Sequence, residues 1–411
     1  MRVFSTLAVV AAAGLAGSAA SQPAPAGPTA TYWMSAQTTS GFVMGGGGAG
    51  PSRSQMMGMM MGGRGGGGQF NHALTLQLGS QRRAPGGPEA EHVPPADLGA
   101  GRSLPLVTPR QAVERDETPQ MPRDYQKPKG RMLIFWGCGD HARAGQPVVI
   151  DFAQMSQGQM PPGLAAINRG LGVTPMRPPS PGRSVTYGEW PNEQGRTTVP
   201  ADGSLAGEHL VRGNYTPDIR FSLTADQDFL PPVRITANEK TQAGSSLLGW
   251  RPVDGADAYL ATLMGGGRND TVVMWTSSEV QASSFAMPDY LSGADITRLV
   301  ANRALMNKQT TSCVIPKEVV DAAEGGLVQL VAYAKDANFS YPPRPANPKA
   351  AWKPEWTVKV RYRSATGAML GMPEMGGMGE SGPPNRYGQP QPQQPPRRPG
   401  AGSILKGLGG F

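Results

Sequence analysis

Strict alternation of apolar and polar residues near the carboxyl end is the feature that most constrains the fold of this chain. From 356 to 363, every second residue is apolar and the residues between are polar. Because side chains alternate between the two faces of a strand, this pattern predicts a half-buried strand in an antiparallel sheet. Its polar face carries Lys359, Arg361 and Arg363, which could bind an anionic partner or keep an exposed face soluble.

Shorter apolar runs separated by turn residues predict further strands. They lie at 74–78, 132–136, 148–150 and 327–333. Helical spacing is confined to 293–306 and to a shorter stretch at 316–324 with proline in its first turn. Short apolar runs between frequent turns favour a β-sandwich or barrel over alternating strands and helices. We therefore expect a mainly β fold, with two β-sandwich-like domains and disordered Gly/Met-rich and Pro/Gln-rich arms.

Glycine and proline limit how much of the chain can fold. The 56 glycines and 41 prolines make up close to a quarter of the 411 residues, a proportion at which low complexity is expected. Residues 44–68, with twelve glycines, are predicted to be a flexible loop. Residues 365–411 are predicted to be a disordered tail. Residues 81–130, with nine prolines, are predicted to be a connection that either wraps the first domain in an extended conformation or separates an early hairpin from the rest.

The amino terminus has the pattern of an export signal. A positive start, an apolar run and small residues predict cleavage near Ala20, which removes residues 1–20. The protein is then predicted to be periplasmic or secreted, with no transmembrane segment left. An uncleaved anchor is the alternative. The folded part is predicted to comprise an N-terminal β domain at 30–233 and a second domain at 234–364.

Two cysteines, Cys138 and Cys313, are the whole complement of the chain. In an oxidising compartment an isolated pair predicts one disulfide, with free buried thiols or a reactive site as alternatives. Cys138 also lies three residues before His141. A zinc site usually needs four ligands, however, and the sequence offers no second pair at ligand spacing.

The segment 249–259 places Trp250 and Tyr259 on either side of a Pro-Val-Asp-Gly turn. Together with the apolar run at 330–334, it resembles the fibronectin type III pattern. The resemblance covers roughly 232–364. It implies a β-sandwich used for binding, with Trp250 facing Tyr259 in the core, and it implies no catalytic residue. The chain as a whole resembles the uncharacterised exported proteins common in Gram-negative bacteria.

Methionine-rich tracts are the candidates for a cofactor site. Flexible thioether arrays favour Cu(I), and the array in the tail resembles the methionine motifs of copper-handling envelope proteins. Neither tract contains histidine or an obvious rigid pair of ligands, so low-complexity sequence is the alternative. The candidate ligands are Met369, Met372, Met375, Met378, Met56, Met57, Met59, Met60 and Met61.

The sequence contains no recognised catalytic motif. Ser184, Ser204 and Ser245 lack a nucleophile elbow, and no phosphate-binding Gly-Lys pair follows the glycine-rich tract. A net charge of +8 without a nucleic-acid motif favours an anionic envelope component or a protein partner over nucleic acid. We therefore expect an exported, non-catalytic binding or structural module. Cu(I) binding is one alternative. Carboxylate pairs of an all-β fold can come from distant positions, so an envelope hydrolase is another.

Overall fold

A computed structural model describes the greater part of the chain. The residues described are 27–41, 70–109, 130–152, 154, 171–195, 198–281, 287–347 and 349–372. The predicted export signal at 1–20, the predicted loop at 44–68 and the chain beyond Met372 lie outside them. In the described part, no helix is both long and apolar enough to cross a membrane.

The secondary structure is mainly β, as the sequence predicts. The described residues form the strands β1 (Ala30–Gly41), β2 (Phe70–Ser80), β3 (Ala90–Val93), β4 (Leu104–Pro105), β5 (Arg131–Trp136), β6 (Val148–Asp151), β7 (Thr186–Trp190), β8 (Gly207–Gly213), β9 (Ile219–Leu223), β10 (Ile235–Lys240), β11 (Ser246–Trp250), β12 (Ala258–Gly267), β13 (Thr271–Thr276), β14 (Met306–Asn307), β15 (Ser312–Ile315), β16 (Gly325–Tyr341) and β17 (Trp356–Met369). The α-helices whose bounds the described residues give are α1 (Gly293–Ala301) and α2 (Lys317–Ala322).

Both helices lie where helical spacing predicts them. The Ser292 side chain accepts a hydrogen bond from the Asp295 backbone N–H and so caps the amino end of α1. Pro316 precedes α2, where a missing N–H removes no helical hydrogen bond. Proline and a capping serine therefore fix where these short helices begin.

A ten-stranded sheet forms the centre of the molecule. Its order is β6-β5-β13-β12-β16-β17-β1-β2-β7, with β14 paired to β12. Strand β1 runs parallel to β17, from Ala30 opposite Trp356 to Gly41 opposite Gly367, and antiparallel to β2. The sheet therefore takes strands from both sides of the boundary predicted at 233/234. Strand β1 pairs with a strand from each side of this boundary because it is largely buried on both faces, and a buried strand needs a hydrogen-bonded neighbour along each edge.

Two smaller sheets cover one face of the central sheet. Their strand orders are β10-β11-β15 and β4-β3-β8-β9. Trp250 of β11 meets Tyr259 of β12 at 5.6 Å between ring centroids, so the predicted contact is present. Phe221 of β9 lies 6.3 Å from the Tyr32 ring of β1. The sequence predicts that eight residues form the core of 234–364, and all eight are buried: Trp250, Tyr259, Trp275, Leu330, Tyr333, Trp356, Val358 and Val360.

The segment around α1 covers much of the opposite face. Ile296 and Leu299 of α1 belong to a second apolar cluster with Leu260, Val331 and Tyr333 of the central sheet. The middle of the sheet is therefore buried on both faces. The strand predicted at 356–363 is also longer than the alternating pattern indicates. It extends to Met369, so 365–369 belong to the sheet and not to the predicted tail.

A disulfide joins Cys138 to Cys313 across 175 residues. Cys138 follows β5 and Cys313 lies in β15, so the bond links the central sheet to the three-stranded sheet. The Cys138 sulfur is thereby used and is not available to a metal site with His141.

Replacing both cysteines by alanine should lower the free energy of unfolding by about 2–4 kcal/mol, since a long loop is then released in the unfolded chain. Urea unfolding measures this loss. Dithiothreitol should destabilise the wild type to a similar extent and leave the alanine variant unchanged. Equal midpoints for oxidised and reduced wild type would contradict the structural role of the bond.

Candidate functional site

The β16–β17 connection carries an exposed cluster of positive charge. Tyr341 pairs with Trp356 at the end of the hairpin, and the chain between them extends beyond the sheet. Arg344, Lys349 and Lys353 in this connection are all exposed. The prolines around them limit the number of conformations open to the loop and so favour a preformed surface.

Aromatic side chains brace this connection. The Tyr341 ring stacks on the buried Trp356 at 6.1 Å, yet Tyr341 itself is 56% exposed. The Trp352 indole N–H donates to the Pro342 carbonyl at 3.1 Å. The Arg344 guanidinium lies 5.4 Å from the centre of the Trp352 ring. The loop is therefore held by ring contacts and by several hydrogen bonds while its cations face solvent.

The end of β2 adds two further cations beside the hairpin. Arg82 and Arg83 are exposed, and Arg82 Nη2 lies 3.5 Å from a Glu355 carboxylate oxygen. The Gln81 backbone N–H donates to the Thr29 carbonyl at 2.8 Å, which fixes this segment beside β1. We call Arg82, Arg83, Arg344, Lys349 and Lys353 the basic tip. Across 81–83 and 341–355, these five cations face a single carboxylate, Glu355.

The basic face of β17, for which the sequence predicts exposure, is largely covered in the structure. Arg361 is 2% exposed and Arg363 5%, so the alternation is real but its polar face is covered. The cover comes from Trp33 of β1 and from Tyr290, which precedes α1. Alternation indicates which residues share a face. It does not indicate whether a later segment covers that face.

The covered cations form a ladder with two aromatic rings, which we call the cation stack. The Arg361 guanidinium lies 4.9 Å from the Trp33 ring centre and 4.4 Å from that of Tyr290. Lys359 lies 5.6 Å from Trp33, and Arg363 lies 5.3 Å from Tyr290. Such contacts stabilise buried cations by roughly 1–2 kcal/mol each.

Acidic and amide groups complete the stack. Lys359 donates to the Asp336 carboxylate, and Arg363 pairs with Asp289. Arg363 also donates from Nε and Nη2 to the Gln37 amide oxygen, at 3.0 and 2.8 Å. Burial favours the neutral form of Asp336, but the Lys359 ammonium, the Gly293 backbone N–H and the Asn338 amide together hold the pKa of Asp336 below its usual value. These contacts make the stack structural in the protein as described.

A buried chain of polar rings connects the four-stranded sheet to β1. Tyr32 Oη lies 2.9 Å from Nδ1 of His92, and His92 Nε2 lies 3.2 Å from Nδ1 of His209. His209 Nε2 lies 2.7 Å from the Leu205 carbonyl oxygen, which can only accept. With both imidazoles neutral, one direction satisfies every atom: Tyr32 donates to His92, His92 to His209, and His209 to Leu205.

Burial keeps both histidines neutral. It lowers the pKa of His92 well below the usual value, and the neighbouring His209 acts in the same direction. It lowers the pKa of His209 to about 4, although the Leu205 carbonyl and the Asp228 charge favour the protonated form. Protonation of both rings would place the His92 Nε2–H and the His209 Nδ1–H face to face. We call His92 and His209 the histidine pair.

Two of the three serines considered as nucleophiles donate their hydroxyl hydrogens to carboxylates. Ser204 donates its hydroxyl hydrogen to Asp228, and Ser245 donates to Asp140 at 2.6 Å. Within the described ranges, no three side chains of His, Cys, Asp or Glu are grouped as a metal site would require.

Of the candidate Cu(I) ligands, the structure describes Met369 and Met372. They are 47% and 60% exposed. The remaining candidates, in 44–68 and beyond Met372, lie outside the described residues.

Comparison with known proteins found no matching family model, no matching curated protein and no matching solved structure. Sequence reasoning missed the basic tip because its cations come from two segments some 260 residues apart. The signal that could have found it is the run of prolines, lysines and an arginine at 342–354, which is typical of an exposed loop.

Stability should fall as the pH is lowered from about 6.5 towards 4. The unfolded histidines protonate near pH 6.5, whereas the folded His92 and His209 resist protonation. The unfolded chain then binds more protons, which costs about 1.4 kcal/mol of stability per pH unit and per histidine. Urea midpoints between pH 4.5 and 8 measure this slope.

The replacement His209→Gln should reduce that slope. The matched control is His141→Gln, because the side chain of His141 is 67% exposed, and this variant should retain the wild-type slope. A wild-type midpoint that is the same at pH 5 and pH 7.5 would contradict the buried, neutral pair.

Removing a cation from the stack should destabilise the fold. Arg363→Met leaves Asp289 and Gln37 without their partner, and broken buried pairs typically cost about 3–5 kcal/mol. We expect the lower end of that range, since the Asp289 side chain is 41% exposed. The control is Arg344→Met at the basic tip, with a change within about 0.5 kcal/mol. Equal losses in the two variants would contradict the different roles of these arginines.

Proposed function

We propose that this protein is an exported, non-catalytic binding module that holds an anionic component of the bacterial cell envelope against its basic tip. The export signal predicted at 1–20 supports the compartment, and the periplasm or the cell exterior is the proposed location. The observation that carries the proposal is the convergence of five exposed cations on one end of the central sheet.

The number of cations decides the kind of partner. One exposed ion pair contributes only about 0.2–1 kcal/mol, so no single residue of the tip can hold a ligand. Five cations acting together can hold a chain or surface that repeats its negative charge. Phosphate or carboxylate groups on an envelope glycan or lipid have this character. Binding of this kind is expected to weaken as salt rises, since exposed charges are screened.

The shape of the tip supports binding of an extended partner. The hairpin projects from the sheet, and the ring contacts of Tyr341 and Trp352 hold its chain in place. Less conformational entropy is then lost when a partner binds. The buried cation stack is not part of the proposed surface, because its cations already have partners within the fold.

A charge-matched pair of variants tests the proposal. The tip variant replaces Arg82, Arg83, Arg344, Lys349 and Lys353 by glutamine. The control variant replaces five exposed cations elsewhere by glutamine and has the same net charge; these are Arg102, Arg234, Arg251, Lys240 and Lys308. Cosedimentation with phosphatidylcholine vesicles that contain lipopolysaccharide, and with a soluble uronic-acid polysaccharide, separates a lipid source of the anion from a glycan source.

The tip variant should bind at least about tenfold more weakly than wild type at low salt, because several ion pairs of up to ~1 kcal/mol are lost together. The control variant should bind as the wild type does. Equal weakening of both variants would show that binding depends on the net charge of the protein and not on the basic tip. Unchanged binding by the tip variant, or no binding by the wild type to either probe, would overturn the proposal.

A further inference from the structure

The last turn of the described chain is held by one buried side chain. The Met372 backbone N–H donates to the Met369 carbonyl at 3.0 Å, and Gly371 has φ +73°, so residues 369–372 form a tight turn that requires glycine. The Asn238 side-chain amide donates to the carbonyl oxygens of Met369 and Met372, each at 2.8 Å. Its oxygen accepts from the Gly371 N–H at 3.1 Å. Asn238 is 3% exposed, so this turn is anchored in the fold.

The turn presents two methionines on a fixed frame. Met369 and Met372 stand at its first and last positions, which brings their Cα atoms within about 7 Å. Their side chains are 47% and 60% exposed. The sequence alone offered no rigid pair of ligands in this array, and the anchored turn supplies one.

A third methionine shares a face of the sheet with Met369. Leu327 of β16 is directly opposite Met369 on one side and Met264 of β12 on the other. Residues directly opposite in neighbouring strands share a face, so Met264 and Met369 lie on one face, about 10 Å apart over two strand spacings. Met264 is 38% exposed. Among the described methionines, the exposed ones are these three, and all lie at this end of the sheet.

We propose that Met264, Met369 and Met372 form a binding site for Cu(I), which we call the methionine platform. Thioether sulfur is a soft ligand that favours Cu(I) over Zn²⁺ or Mg²⁺. Each methionine has three rotatable bonds, so sulfurs on Cα atoms about 10 Å apart can approach one ion. No proton is displaced when a thioether binds a metal, so the apparent affinity stays constant between pH 5 and 8, unlike that of a histidine or cysteine site.

The methionine platform is spatially separate from the basic tip. The basic tip is at the start of β17 and the platform at its end, roughly 40 Å away along the strand. Gly41, at the end of β1, is paired with Gly367. Gly367 lies two residues before Met369, so the last residue of β1 lies close to the platform.

Methyl NMR tests the site residue by residue. The full chain is labelled with ¹³C at the methionine methyl groups and titrated with Ag(I), an air-stable substitute for Cu(I). The first equivalent should shift the methyl signals of Met264, Met369 and Met372, assigned from single Met→Leu variants. Zn²⁺ should shift none of them. First-equivalent shifts confined to other methionines would overturn the proposal.

An anaerobic Cu(I) competition titration measures affinity with a matched control. The platform variant replaces Met264, Met369 and Met372 by leucine, and the control replaces Met56, Met57 and Met59 in the same way, so each loses three sulfurs. The platform variant should lose the tightest equivalent, and the control should keep it. Loss of the tightest equivalent in the control but not in the platform variant would overturn the proposal. Failure of the wild type to compete for Cu(I) would do the same.

Asn238→Leu tests whether the turn itself matters, since it removes no sulfur. Loss of a residue that positions ligands typically weakens metal binding by about 10–100-fold, and we expect a loss in that range. The unfolding midpoint of each variant shows whether it is folded. Wild-type affinity in a folded Asn238→Leu protein would contradict a platform set by this turn.

Discussion

The parallel pairing of β1 with β17 is the contact on which the rest of the structure depends. It joins 30–41 to 356–367 and so unites the two ends of the described chain in one sheet. Buried hydroxyl groups secure β1 to the strand-free segment before β10. Thr38 donates to the Leu230 carbonyl at 2.6 Å, and Ser40 donates to the Val233 carbonyl at 2.7 Å. Without this pairing, β17 would lose a neighbour along one edge, and the cation stack would lose Trp33 and Gln37.

This pairing also places the two proposed surfaces. The ends of β1, β2, β16 and β17 meet at the basic tip, which is why Arg82 lies beside Glu355 despite their distance in sequence. At the other end, the same strands bring Met369 next to Leu327 and Gly41 next to Gly367. One set of long strands therefore presents positive charge at one end and thioether sulfur at the other.

Local patterns predicted the individual elements well. Alternation located β17, helical spacing located both short helices, and the isolated cysteines indicated the disulfide. The sheet order could not be read in this way, because the parallel partner of β1 is about 326 residues distant and its register depends on tertiary contacts. The division at 233/234 followed from reading the chain as consecutive units, whereas β1, β2 and β7 join a sheet completed by later strands. The fibronectin type III resemblance stays a prediction, with its Trp250–Tyr259 contact present.

The exposure of charged residues was harder to predict from the sequence than the burial of apolar residues. Lys359, Arg361 and Arg363 have the spacing of a solvated strand face, but Trp33 and Tyr290 cover them and supply ring faces for their charges. The cations of the basic tip lie in a proline-rich loop and at a strand end, where no periodic pattern marks them. A cation on a strand can be buried when aromatic rings and carboxylates surround it, so exposure has to be read from the fold.

Hydrogen exchange of the full chain, with and without an anionic envelope polysaccharide at low salt, tests the central claim most directly. The account predicts slower exchange in 81–83 and 341–355 when the polysaccharide is present, and unchanged exchange in the peptides around Met264 and Met372. Protection that appears elsewhere on the protein and leaves 341–355 unaffected would contradict the basic tip as the binding surface.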